Sequence, residues 1–163
     1  MLKKVYPLTI KEVIMIKNKL RISIGCDHGG YELKEYIKDY LETKVSEVTD
    51  FGCYSDESVD YPDYAHKTCS NIEDNLSDLG ILVCGSGNGI NMAANSHSGI
   101  RSALCWKPEI ASLARQHNNA NIMALPGRFI DVDTAIECVI NFITKEYEGG
   151  RHEQRVNKIK ERL

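Results

Sequence analysis

The chain of 163 residues suits one compact domain with a full core. Its 42% hydrophobic and 26% charged residues are proportions of an ordinary globular protein. A formal net charge of −3 argues against a nucleic-acid or membrane-surface role built on bulk electrostatics, and no stretch approaches the roughly 18 apolar residues of a membrane span.

In chain order, residues 1–20 (MLKKVYPLTIKEVIMIKNKL) carry lysines throughout and no clean apolar stretch, which disfavours a signal peptide. They read as an accessory extension before a single domain over residues 21–163. Arg21–Cys26 reads as a strand. Tyr31–Leu41 has Leu33, Tyr36, Ile37, Tyr40 and Leu41 at helical spacing. Val45–Thr49 is a second, weaker strand. Pro62 starts a helix whose inner face carries Ala65, Cys69 and Ile72.

Leu79–Cys84 (LGILVC) is almost unbroken apolar sequence, as in a parallel strand covered on both faces. The turn Gly85–Gly89 and a short helix around Ile90–Asn95 follow. Ile100–Trp106 is the fourth strand, Pro108–His117 a helix with Ile110, Leu113 and Ala114 inside, and Asn121–Leu125 the fifth strand. A long helix after Asp131 presents Val132, Ile136, Val139, Ile140 and Ile143, and Gly149-Gly150 stops it. Arg151–Leu163 forms a basic tail helix with a thin stripe of Val156, Ile159 and Leu163, and this stripe reads best as reaching a neighbouring subunit.

Strands alternating with helices, without hairpin signals, predict an α/β fold: a three-layer, doubly wound, five-stranded parallel sheet of Rossmann-like type. Ligands on such sheets bind beyond the carboxyl ends of the strands. Asp27–Gly30, Cys84–Gly89 and Pro126–Arg128 fall at three of those ends.

Six cysteines, at 26, 53, 69, 84, 105 and 138, include no CxxC pair and fit a reducing, cytoplasmic setting. Five histidines show no zinc-type spacing, so no metal site is expected. In Cys84-Gly85-Ser86-Gly87-Asn88-Gly89, a cysteine heads a glycine-rich turn at a helix N-terminus. Backbone N–H groups and the helix dipole there gather an anion and favour a thiolate. Such a pair suits proton abstraction beside a carbonyl, and equally the turn could hold an inert buried thiol. Ile90 stands where a dinucleotide fingerprint needs its third glycine and where a thiol phosphatase of CxxxxxR type needs its arginine. A GKS or GKT of the Walker type is absent.

Asp27-His28 offers an acid and an imidazole, or simply a helix N-cap. His117, ending a helix before Asn118, is an acid–base candidate or a surface residue stabilised by the helix dipole. Arg151 and Arg155 share one helical face and suit a phosphate between them, or form a solvated basic face paired with Glu148 or Glu153. Arg128 is a third cationic candidate.

Six segments in order, GCDHGGYELK (25–34), DYPDYA (60–65), LVCGSGNGINMAAN (82–95), GIRSALC (99–105), ARQHNNAN (114–121) and YEGGRHEQRV (147–156), resemble ribose-5-phosphate isomerase type B. Its family also holds the galactose-6-phosphate isomerase subunits. The resemblance implies aldose–ketose isomerisation of ribose 5-phosphate and ribulose 5-phosphate, a step of the pentose phosphate pathway, with no metal or organic cofactor. Cys84 would be the base and Ser86 would serve proton traffic at the sugar oxygens. Gly85, Gly87 and Gly89 would line the anion hole, and Asp27 and His117 would open the sugar ring. Asn118 and Tyr61 would bind the sugar, while His28, Arg128, Arg151 and Arg155 would grip the phosphate. The resemblance further implies a homodimer, or a tetramer, with sites shared between subunits. Ser86 replaces the usual threonine, Asn88 a small aliphatic residue, and Pro126 a glycine or serine. These departures bear on substrate preference. A six-carbon sugar phosphate is the near alternative, and a thiol phosphatase or a non-catalytic sugar-phosphate sensor are the remote ones.

Overall fold

The computed structural model describes residues 19–161, so most of the N-terminal extension, and Leu163 of the tail stripe, lie outside the described residues. Five strands, β1 (Arg21–Cys26), β2 (Glu47–Asp50), β3 (Leu79–Cys84), β4 (Ser102–Leu104) and β5 (Ile122–Pro126), form one parallel sheet in the order β2-β1-β3-β5-β4. The helices are α1 (Tyr31–Glu42), α2 (Tyr61–Glu73), α3 (Asn88–Asn95), α4 (Pro108–Asn118), α5 (Val132–Thr144) and α6 (Arg151–Lys158).

Alternation along each strand feeds two cores. Ile22, Ile24, Ile81, Val83, Met123 and Leu125 point toward α1, α4 and α5, while Leu82, Cys84, Ile122 and Ala124 join Ala65, Cys69, Ile90 and Ala94 of α2 and α3. The predicted three-layer α/β architecture is what the chain adopts. Pro62 stands in the first turn of α2, where its missing N–H is harmless. Asp131 caps α5 by accepting from the Thr134 backbone N–H at 2.8 Å.

Several helical faces differ from the sequence reading. On α5 the buried side chains are Ala135, Cys138, Val139, Phe142 and Ile143, whereas Val132 is exposed and Ile136 and Ile140 are only half-buried. On α4, Ala111 and Ala114 are buried and Leu113 is exposed. These two helices pack on each other through contacts that include Ser112 Oγ donating to Asn141 Oδ1 at 2.8 Å and the Arg115 guanidinium 5.7 Å from the Phe142 ring, so the inward faces are turned away from the stripe that apolar periodicity marks. Tyr36 of α1 also faces outward. The helix α5 ends at Thr144, ahead of Gly149 and Gly150, because Lys145 is already extended; the glycines, at φ 62° and 55°, instead turn the chain into α6. No residue of α6 is buried.

Lys34, on the inner side of α1, is fully buried at 0% side-chain exposure. Its ammonium donates to Asp50 Oδ2 at 2.7 Å and contacts Glu35, with the Tyr31 and Tyr54 rings 5.6 and 5.2 Å from it. Burial alone would lower the Lys34 pKa, but the hydrogen bonds to Asp50 and Glu35 outweigh it and hold the group above its ordinary value. The contact ties α1 to the end of β2. Lys34→Ala leaves Asp50 without its buried partner, so urea unfolding should register a loss of about 3 kcal/mol; an unchanged midpoint would contradict this account.

Candidate active site

Three strand ends meet at one place. Cys84, 3% exposed, closes β3, and its carbonyl accepts from the Gly127 N–H at 2.9 Å, while the Gly85 carbonyl accepts from the Arg128 N–H at 3.0 Å. The turn after β5 is thereby fastened to the cysteine loop. Gly87, at φ 75°, starts α3 in the left-handed region and has no side chain of its own to cap the helix. Its first-turn N–H groups therefore form an anion-attracting surface beside Cys84. Ser86 is exposed, and its Oγ accepts from the Asn88 N–H at 3.3 Å, which draws the loop into a tight turn.

The turn after β1 packs directly onto this loop. A Cβ on Gly29 would lie 3.0 Å from the Gly85 backbone, and one on Gly30 would lie 2.4 Å from the Val83 carbonyl oxygen. Glycine is needed at 30, where backbone meets backbone, and the fit at 29 is tight. Asp27, 8% exposed, accepts from the Gly30 N–H at 3.1 Å through Oδ1, so it does cap the following turn. Capping engages one carboxylate oxygen, and the reading of Asp27 as an acid–base group is compatible with it. His28 Nδ1 accepts from the Val59 N–H at 3.2 Å, which assigns the ring proton to Nε2 and makes that atom a donor. The Tyr61 ring lies over Gly89, where a Cβ would be 2.6 Å from a ring carbon. Arg128 arches over Gly85, its Cδ and Nη1 3.5 Å from where a Cβ would stand. A cleft of about 580 Å³ lined by His28, Gly29, Tyr36 and Arg128 opens beside it.

All six cysteines are free. Burial pushes Cys69, Cys105 and Cys138 up to about 12, and Cys26 is also raised, by burial and by neighbouring Cys53. These four behave as small hydrophobes in the core.

The remaining candidates form a second cluster. His117 and Asn118 end α4, and Arg151 and Arg155 lie exposed on α6. The Glu148 N–H donates to the Gln116 carbonyl at 3.0 Å and holds the two helices together. The His117 ring stacks on His152, with centroids 4.1 Å apart and an 11° tilt. Glu148 sits beside these imidazoles; among the described residues no ion pair joins it to Arg151 or Arg155. In a parallel sheet each crossover helix runs back against the strands, so α4 ends near the start of β5. His117 thus lies at the opposite end of the sheet from Cys84, about one strand length, roughly 17 Å, away. No hydrogen bond or ion pair among the described residues links the two clusters.

Residues 22–159 match the family model described as Ribose/Galactose Isomerase. The chain belongs to that family. Ribose-5-phosphate isomerase B of Escherichia coli is 42% identical over 139 residues, spanning 85% of this chain and 93% of its own. Among solved structures of family members, a ribose 5-phosphate isomerase of Thermotoga maritima superimposes with a TM-score of 0.85 at 52% identity, covering 87% of this chain and 98% of its own. Ribose-5-phosphate isomerase B of Mycoplasma genitalium with bound ribulose-5-phosphate gives 0.82 at 43% identity, covering 85% and 93%.

Sequence reasoning overlooked two features of this isomerase-family chain. Glu148 and His152 attend His117, a pairing that their separation of four residues signalled. On the far side of the sheet, His66 Nδ1 lies 2.8 Å from His97 Nε2, and His97 Nδ1 2.9 Å from Glu73 Oε2, a relay assembled from distant segments. Gly87→Ala should destabilise the fold by more than about 1 kcal/mol, since its Cβ would combine positive φ with a 2.4 Å approach to Leu104 Cδ1; wild-type stability in urea would refute the constraint.

Proposed function

We propose that the chain interconverts D-ribose 5-phosphate and D-ribulose 5-phosphate, with Cys84 as the base. The observation that carries this reading is the position of Cys84, in a glycine-rich loop at a helix N-terminus, packed against the Asp27–Gly30 turn and fastened to the Arg128 turn. The names of the Escherichia coli and Mycoplasma genitalium relatives, and the ribulose-5-phosphate bound in the latter, support the substrate.

Ribose 5-phosphate is mostly a closed ring, so an acid and a base must first release the aldehyde. Asp27 and His117 take these roles. Cys84 then removes the C2 proton, and the resulting cis-enediolate is stabilised by N–H groups of Gly85, Ser86, Gly87 and Gly89. Ser86 relays protons at the sugar oxygens, and Cys84 returns its proton to C1. His28 and Arg128 hold the phosphate remote from the reacting carbons, which orients the substrate. Tyr61 and Asn118 contact the sugar. C2 is oxidised as C1 is reduced within the one molecule, so the chemistry calls for no external electron carrier and no organic cofactor.

His117, Asn118, Arg151 and Arg155 reach this site from a second copy of the chain. Their place at the far end of the sheet, and an α6 without buried residues, support a homodimer in which each site draws on both subunits. Among the described residues no helix is long and apolar enough to cross a membrane; six free thiols support placing the enzyme in the reducing cytoplasm.

Cys84→Ala should lower kcat for ribose 5-phosphate about a thousandfold or more while the sugar phosphate still binds. Mixing unfolded Cys84→Ala and His117→Ala chains and refolding them together should restore about a quarter of wild-type activity, since half of the dimers then hold one intact site of two. No recovery would refute the shared site, and turnover strongly favouring allose 6-phosphate would refute the pentose substrate.

A further inference from the structure

The corner where α4 meets α6 holds three metal-ligating groups. Donor atoms of His117, Glu148 and His152 all lie within 4.8 Å of one another. Glu148 Oε2 is 3.7 Å from His117 Nε2 and 3.8 Å from His152 Nε2. Both gaps are too long for hydrogen bonds. They are close to the separation of two ligands on a tetrahedral zinc ion, which is about 3.4 Å for bonds of about 2.1 Å. The bond from the Glu148 N–H to the Gln116 carbonyl, 3.0 Å long, sets the carboxylate against the end of α4 before any ion arrives.

The donor set selects the ion. Two imidazoles and one carboxylate suit zinc and its borderline neighbours, whereas magnesium and calcium favour all-oxygen sites. Arg151 and Arg155 oppose a cation through space, but both are exposed and solvent screens them. The stacked rings must open for both nitrogens to converge on one ion. His117, at 35% side-chain exposure against 12% for His152, is the ring free to rotate.

We propose that His117, Glu148 and His152 form a binding site for zinc-class divalent ions, and that an ion bound there inhibits the enzyme by holding His117. The inhibitory half rests on the assignment of His117 to ring opening. Coordination takes up the Nε2 lone pair and turns the imidazole away from the sugar, so neither proton transfer nor its release is available to it.

Calorimetric titration of the full-length protein with zinc chloride, without substrate, tests the site independently of activity. Zinc should bind once per chain at this position, magnesium should not, and Glu148→Gln and His152→Ala should each weaken zinc binding about tenfold or more. In the isomerase assay zinc should inhibit the parent reversibly, with activity restored by EDTA, and both variants should require about tenfold more zinc. Equal zinc affinity in the parent and both variants would overturn the proposal. Inhibition undiminished in the variants would assign the effect to another ligand, such as the Cys84 thiolate, and would also overturn it. A protein that binds zinc here but does not isomerise ribose 5-phosphate in metal-free buffer would contradict the proposed function and leave the metal site standing.

Discussion

The parallel pairing of β1 with β3, which sets Cys26 opposite Val83, is the constraint on which the site depends. It brings the two glycine-rich turns that follow these strands side by side. The Gly29 and Gly30 backbones then lie on Val83 and Gly85 with no room for a Cβ at Gly30. Pairing of β3 with β5 adds the third turn, since Cys84 stands opposite Pro126 and its carbonyl holds Gly127. Acid, thiol and guanidinium are thus placed by backbone contacts in the rigid middle of a sheet, where small errors of position are least.

The same topology divides the chemistry. Residues after strands gather at one end, and residues closing crossover helices gather at the other. His117 ends α4, and its companions Arg151 and Arg155 follow on a helix that buries nothing of its own. On the proposed reading a single chain holds two halves of a site, facing opposite ends of its sheet. Association of two copies is the simplest way to bring the halves together, and it gives the tail helix a surface to cover.

Much of this was legible in the sequence, for identifiable reasons. The unbroken apolar run of Leu79–Cys84 announced a doubly covered strand, and Pro62 and Pro108 marked helix starts. The glycines after Cys84 announced a turn at a helix N-terminus, and Asp27–Gly30 fell at a strand end beside it. Helical faces were harder to read. Periodicity assigned Val132 and Leu113 inward because they are large and apolar, but the buried positions of α4 and α5 are Ala111, Ala114, Ala135, Cys138, Val139, Phe142 and Ile143. Burial of Lys34 was invisible because its partner Asp50 lies on another element. Strand order, with β5 between β3 and β4, follows from tertiary packing and leaves no local signal. Glu148 was read as a partner for arginines, whereas its backbone bond to Gln116 turns it toward two histidines.

The central claim is that Cys84 moves a proton through an enediolate between C2 and C1. Conversion of ribose 5-phosphate by the wild-type protein in D2O, followed by NMR, tests it most directly. Proton transfer through an exchangeable thiol predicts ribulose 5-phosphate carrying solvent deuterium at C1. Ketose formed without any deuterium would contradict transfer through a solvent-exchangeable thiol, as would the absence of conversion.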